Sequence, residues 1–110
     1  MGVMITVMSG ADDGKVSEFD KTPIVMGRHP EDDVCLPYDT RVSRHHARIT
    51  KEGKAYFIED TGPEGKGSTN GTFVGEKKII SKTRLAAGDM ILLGSGVWAK
   101  FEVRRKPQDI

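Results

Sequence analysis

The sequence predicts an all-β domain, a β-sandwich of two mostly antiparallel sheets with about ten to eleven short strands. Three observations lead there. No apolar pattern of helical period persists beyond two turns anywhere in the chain, so no amphipathic helix is expected. Short runs rich in Val, Ile, Phe and Thr alternate with period two, as half-buried strands do. Clusters of Gly, Pro, Asn and Asp interrupt these runs every 8–12 residues or so, roughly the turn spacing of a sandwich or barrel.

Gly2–Met8 alternates and opens the fold, and Ser9–Gly14 is a loop by composition. Val16-Ser17-Glu18-Phe19 returns antiparallel to the first strand. Pro23 leads into Ile24-Val25-Met26, and Gly27 lets the backbone turn or approach a neighbour closely where Arg28 enters a loop. After a turn at His29–Asp33, a brief strand is expected at Val34-Cys35-Leu36, and Pro37–Arg41 approaches the segment Arg41-Val42-Ser43-Arg44-His45-His46. Ala47-Arg48-Ile49-Thr50 follows with Ala47 and Ile49 inward, and Lys51-Glu52-Gly53-Lys54 turns it into Ala55–Asp60. The glycine-rich stretch Thr61–Asn70 is a long loop before Thr72-Phe73-Val74, which pairs with Lys78-Ile79-Ile80 across Gly75-Glu76. Leu85–Asp89 reads as a turn into Met90–Gly94, and Ser95-Gly96 turns again. Val97–Val103 closes the chain as a long strand with Trp98 and Phe101 on opposite faces. Residues 1–104 make one domain, and 105–110 read as a tail or the start of a linker.

Composition excludes several function classes. The 17 Lys and Arg nearly balance the 16 Asp and Glu, which argues against nucleic-acid or membrane binding driven by bulk charge. No run has the length of a membrane span, and the apolar start lacks the basic flank of a signal peptide. Met1-Gly2 begins like a myristoylation motif, but Thr6 matches it poorly. Cys35 has no partner for an internal disulfide, which favours a reducing compartment, and its apolar neighbours make it a packed thiol. A soluble, monomeric, cytoplasmic protein is expected.

Chemistry concentrates in three loop segments: Gly27-Arg28, Arg41–Arg48, and Gly67-Ser68-Thr69-Asn70-Gly71-Thr72. Together they offer the guanidinium forks of Arg28 and Arg44, the hydroxyls of Ser43 and Thr69, and the carboxamide of Asn70. Such donors can surround a tetrahedral dianion from several sides. No carboxylate or cysteine lies inside the segments to turn them toward catalysis, so the array reads as a pocket that binds phosphate and leaves it intact. A hydrolase built on Ser43 and His46 lacks a positioned acid and faces poor geometry. The adjacent His45 and His46 invite a metal, but no accompanying histidine or cysteine pair supplies further donors at fixed spacing, and no metal or cofactor is expected. His46 reads as a structural histidine and His45 as an exposed one.

Gly27-Arg28, then Ser43-Arg44-His45-His46 about fifteen residues on, then Thr69-Asn70-Gly71, resemble the signature of the forkhead-associated (FHA) domain in order, spacing and all-β setting. Arginine-cluster recognition of phosphorylated motifs is the mode to which such domains are assigned. The resemblance runs from Met4 to Val103. It implies binding loops at one end of the sandwich, both termini at the other, and a non-catalytic signalling adaptor that grips phosphothreonine in an extended peptide of a partner protein. On that resemblance Arg28, Ser43 and Thr69 hold phosphate oxygens, and Arg44 adds a phosphate or backbone contact. Asn70 bonds the peptide main chain, while Gly27, His46 and Gly71 support the loops. Arg41, two residues before Ser43, is expected to present a cation that favours an acidic side chain downstream of the phosphothreonine. The chain departs from the family at Gly75, where a second asparagine is common. The alternative is a scaffold of the same fold that binds a partner through a sandwich face without phosphate.

Overall fold

The strict alternation of the first and last strands decides how the chain closes on itself. The computed structural model describes residues 2–104, and the predicted tail at 105–110 lies outside the described residues. Strand β1 (Gly2–Val7) buries Val3, Ile5 and Val7 and pairs along its whole length with β11 (Val97–Arg104), antiparallel, from Gly2↔Arg104 to Val7↔Ala99. On its other edge β1 carries β2 (Val16–Phe19). Beyond β11 come β10 (Met90–Leu93), β7 (Thr72–Val74) and β8 (Lys77–Lys78), giving a six-stranded sheet. The second sheet orders β4 (Val34–Cys35), β3 (Ile24–Gly27), β5 (Ala47–Glu52), β6 (Ala55–Asp60) and β9 (Thr83–Leu85). Among the described residues there are eleven strands and no helix, so none long and apolar enough to cross a membrane.

The inward residues of both sheets interdigitate as a single core. Ile5, Ile91, Leu93, Ala99 and Phe101 from one sheet meet Ile24, Met26, Ala47, Ile49 and Ile58 from the other, all with 0% exposure. Burying each of the larger side chains contributes roughly 1.5–3 kcal/mol, which offsets the entropy of ordering so many loops. Tyr56 stacks edge-on against Phe101 with ring centroids 5.5 Å apart. Trp98 lies on the opposite, half-buried face, as alternation requires.

Three expectations need correction. Thr83–Leu85 is a strand, paired with β6 through Tyr56↔Leu85, where only a turn from Leu85 onward was expected. Three residues carry too little alternation to announce a strand without the partner they pair with. The second half of the β7 hairpin is Lys77–Lys78, one residue earlier than Lys78–Ile80, with Ile79 N–H still donating to Thr72 O. Cys35 is half-buried on the edge strand, not a core thiol, while Val34 and Leu36 beside it are buried.

The topology gathers the functional loops. Strands β3 and β4 are parallel, Gly27 opposite Cys35, so the chain loops out past the end of β3 before returning. The turn between β10 and β11 reaches the same end, because Gly94 and Gly96 pack against Arg41. Strand β11 then leads away from that turn, and its last residue pairs with Gly2. The described ends of the chain therefore sit together at the far end.

Candidate phosphate-binding site

Ser43 is the centre of the site, and its contacts tie in two other loops as well as the lead-in to the strand that follows it. Its carbonyl accepts Arg28 N–H at 3.1 Å, and its own N–H donates to His46 Nδ1 at 2.9 Å. Its Oγ accepts Thr69 N–H at 3.1 Å from the loop between β6 and β7. The residue is 8% exposed, so the hydroxyl lies at the mouth of a formed structure, not on a free loop. Arg28 is half-buried and its Nε donates to Val42 O at 3.0 Å, which lays the guanidinium along the same segment. Arg44, Thr69 and Asn70 are exposed around it. The fold thus brings Arg28, Ser43 and Thr69 together through direct bonds, and chain adjacency places Arg44 and Asn70 beside them.

His46 holds this arrangement from inside. It is fully buried; Nδ1 accepts from Ser43, and Nε2 lies 2.7 Å from Gly71 O. The two bonds fix the neutral tautomer with its proton on Nε2. Burial, outweighing the attraction of Gly71 O and Asp60, lowers its pKa below the ordinary histidine value and keeps it uncharged. No lone pair is left to take a proton from Ser43 Oγ. Asp60 does approach His46, at 4.0 Å, an acid the linear order did not place, yet the Ser43 contact runs through backbone N–H and no nucleophile–base bond exists.

Two glycines permit the close approaches. A Cβ on Gly27 would lie 2.6 Å from His45 N and 2.8 Å from His46 N, so only glycine lets the end of β3 touch the Ser43 segment. Gly71, with φ +86°, turns its carbonyl toward both His46 Nε2 and Gly94 N–H, the latter at 2.8 Å. Gly94 was not singled out in the sequence. A Cβ there would sit 2.3 Å from Arg41 O, the same carbonyl that accepts Asn70 Nδ2 at 3.0 Å.

Asp60 is the second residue that sequence reading missed. Oδ1 accepts Ser68 N–H, while Oδ2 accepts the Ser68 and Thr72 hydroxyls at 2.5 and 2.7 Å. Ser68 Oγ in turn accepts Gly71 N–H at 2.9 Å. Burial alone would raise the Asp60 pKa; the Ser68 and Thr72 bonds, with His46 nearby, outweigh it and hold the carboxyl below its usual range. The signal available was a strand-terminal Asp followed eight residues later by Ser, too common a pattern to single out.

Arg41, expected to present a cation to the ligand, is paired with an acid of its own loop. Its Nε and one terminal nitrogen each donate to Asp39, both at 3.1 Å, a fork on a carboxylate. Asp39 also accepts Arg41 N–H, and the bond to Arg41 pulls the Asp39 pKa below the carboxylate norm. Nor is His45 simply exposed: half-buried at φ +47°, it is bonded through N–H to Asp32.

A family model described as the FHA domain matches residues 24–94, the span from β3 to the end of β10 and well over half of the chain. The chain belongs to the FHA family. FhaB, an FHA domain-containing protein of Mycobacterium tuberculosis, is 29% identical over 90 residues, covering 82% of this chain and 54% of FhaB. The chain therefore spans about half the length of that curated relative. The FHA domain of the CT664 protein from Chlamydia trachomatis superposes with a TM-score of 0.81 at 26% identity, covering 96% of this chain and all of that one. A domain solved in a structural and functional analysis of phosphothreonine-dependent FHA interactions gives 0.78 at 27% identity, over 96% of this FHA domain and 100% of its own chain.

Proposed function

We propose that this FHA domain is a non-catalytic reader of phosphothreonine in an extended peptide of a partner protein. The observation that carries the reading is the junction of Arg28, Ser43 and Thr69 through Ser43's backbone and hydroxyl. In this reading Arg28 and Arg44 supply charge, and Ser43 and Thr69 supply hydroxyl donors to the phosphate. The Asn70 amide, with one N–H on Arg41 O, keeps its second N–H and its oxygen for the peptide main chain. The relative solved for phosphothreonine-dependent interactions supports the choice of ligand.

Phosphothreonine carries about −1.5 to −2 charges at neutral pH, and arginine meets it with a fork that stays charged. Charge-assisted bonds contribute about 1.5–3 kcal/mol each, and against the ordering of a flexible peptide a few of them give an affinity near micromolar, about −8 kcal/mol. Threonine is favoured over serine where a small apolar niche receives the methyl group. Arg41 serves as a brace for Asn70 and not as a specificity cation, since Asp39 neutralises it.

Calorimetric titration with a phosphothreonine peptide library beside its unphosphorylated controls tests the reading. Binding that needs the phosphate and is lost in Arg28→Ala supports it. Binding that survives both changes would assign the protein to partner recognition through a sandwich face.

A further inference from the structure

The turn after β3 and the segment before β5 meet at a second cluster, which phosphate binding leaves unused. One ring nitrogen of His29, one of His45 and one carboxylate oxygen of Asp32 lie within 4.8 Å of one another. The imidazoles stack with centroids 4.7 Å apart and planes inclined by 30°. The Asp32 side chain is only 1% exposed, and Oδ1 lies 2.5 Å from His45 Nδ1. Its Oδ2 accepts the backbone N–H groups of His29 and His45 at 3.1 and 3.0 Å. On the other side, His45 O accepts Thr61 Oγ1–H at 2.7 Å. The backbone of both segments therefore fixes the carboxylate and His45 before any ligand arrives.

We propose that His29, Asp32 and His45 form a binding site for a divalent cation of the zinc class, with solvent completing its shell. Two imidazoles and a carboxylate are a donor set such ions accept, and three protein ligands leave an open position. The His45 side chain is 41% exposed, which gives the ion a path from solvent. Bonds of about 2.0–2.2 Å in a tetrahedral shell place ligand atoms roughly 3.3–3.6 Å apart. The cluster reaches that by drawing its widest pair together by about 1.2–1.5 Å and letting Asp32 and His45 part by about 1 Å, which small side-chain rotations allow. The cation takes the place of the hydrogen bond between Asp32 and His45, and a neutral His45 that ligates through Nδ1 passes its ring proton to Nε2.

His29 Nδ1 accepts Glu31 N–H at 3.0 Å. Ligation through Nδ1 gives up that bond directly. Ligation through Nε2 gives it up too, because the ring proton must then move to Nδ1. This cost and the open shell keep the affinity below that of closed structural zinc sites. A bound ion would clamp the turn after β3 to the segment that carries Ser43.

The test is calorimetric titration of the untagged 110-residue chain with Zn²⁺, and absorption titration with Co²⁺, in buffer free of chelator and phosphate. One ion per chain is expected, weakened at least about tenfold in His29→Phe, which keeps a ring to stack but has no lone pair. Absence of saturable binding, or equal binding by His29→Phe (as an ion on Cys35 would give), overturns the proposal. Should His29→Phe not fold, the ring ¹H–¹⁵N resonances of the unaltered protein decide. Zn²⁺ must shift those of His29 and His45 and leave buried His46 in place; unmoved His29 and His45 signals overturn it. None of these readouts needs a phosphopeptide, so they fail or succeed independently of the phosphate reading.

Discussion

Ser43 Oγ accepts the backbone N–H of Thr69 at 3.1 Å, joining two loops that lie 26 positions apart in the chain. One hydroxyl thereby does two things. It holds the second loop against the first with its lone pair, and its proton remains free to point at an anion. Ser43→Ala removes both. Phosphopeptide affinity should fall by about 10- to 100-fold, the worth of one charge-assisted bond, while the folded state loses only about 1 kcal/mol. Titration calorimetry beside urea unfolding checks this; unchanged affinity would remove Ser43 from the phosphate contact.

His46 makes stability depend on pH in a definite direction. Burial lowers its pKa in the folded state, whereas the unfolded chain takes up a proton near pH 6.5. Below that pH the unfolded state binds more protons, so stability present above about pH 6.5 is lost progressively as pH falls toward the depressed folded value. His46→Ala should abolish this slope and cost about 2–4 kcal/mol, because Ser43 N–H and Gly71 O lose their buried partner. Urea midpoints from pH 7.5 to about 5 measure it. A flat profile in the unaltered protein would contradict the buried neutral imidazole.

Asp60 adds a second, more acidic window. Its folded pKa is depressed, so its contribution is full above the unfolded value of about 3.9 and disappears as pH falls through the lower folded value. Asp60→Asn keeps the size of the group but turns an N–H toward Ser68 or Thr72, both of which already donate. A loss of about 1–3 kcal/mol at pH 7 is expected, with a shallower fall below about pH 4. Thermal unfolding of the two proteins across that range is the measurement.

Much of this was legible in the sequence because it depends on local pattern. Period two located β1, β2, β5 and β11, and placed Ala47 and Ile49 inward, since burial on one face imposes alternation directly. Gly27 was legible as a close-approach glycine, though not what approaches it. What stayed hidden depends on distance along the chain. Asp39 neutralising Arg41 is a two-residue pattern, but its fork forms only when the loop curls under Gly96. Asp32 and His45 are 13 positions apart, and only the parallel crossover between β3 and β4 brings them together. Gly94 ends an apolar run and looks like an ordinary turn; its necessity comes from Arg41 O on a different loop.

That necessity is testable. At φ +64° an alanine in place of Gly94 costs about 1–2 kcal/mol in backbone strain alone. Its Cβ would also press on Arg41 O at 2.3 Å and approach Asn70 Cβ at 3.4 Å. Gly94→Ala should therefore lose about 2–4 kcal/mol in total and weaken phosphopeptide binding through displaced Asn70, though residue 94 touches no ligand. Gly88→Ala, with φ +93° but nothing within 4 Å of its Cβ, separates strain from contact: it should lose stability and leave binding unchanged. Equal effects of the two on binding would show that the Arg41 contact does not matter.

The Asp39–Arg41 fork gives a prediction about specificity. With its charge matched by Asp39, Arg41 offers little to an acidic residue of the ligand, although its side chain is 54% exposed. Asp39→Asn keeps an oxygen for Arg41 N–H, as the native loop requires, and removes the negative charge. The guanidinium is then free to attract a carboxylate. An exposed pair of this kind contributes little, so the variant should enrich acidic residues downstream of the phosphothreonine by only about 1.5- to 5-fold over the unaltered domain. Salt should erase the gain, since the contact is solvent-exposed. A phosphopeptide library read by both proteins decides it. If the unaltered domain already selects Asp or Glu there, Arg41 acts as a cation despite its partner; if neither does, the loop carries the peptide past Arg41 out of reach.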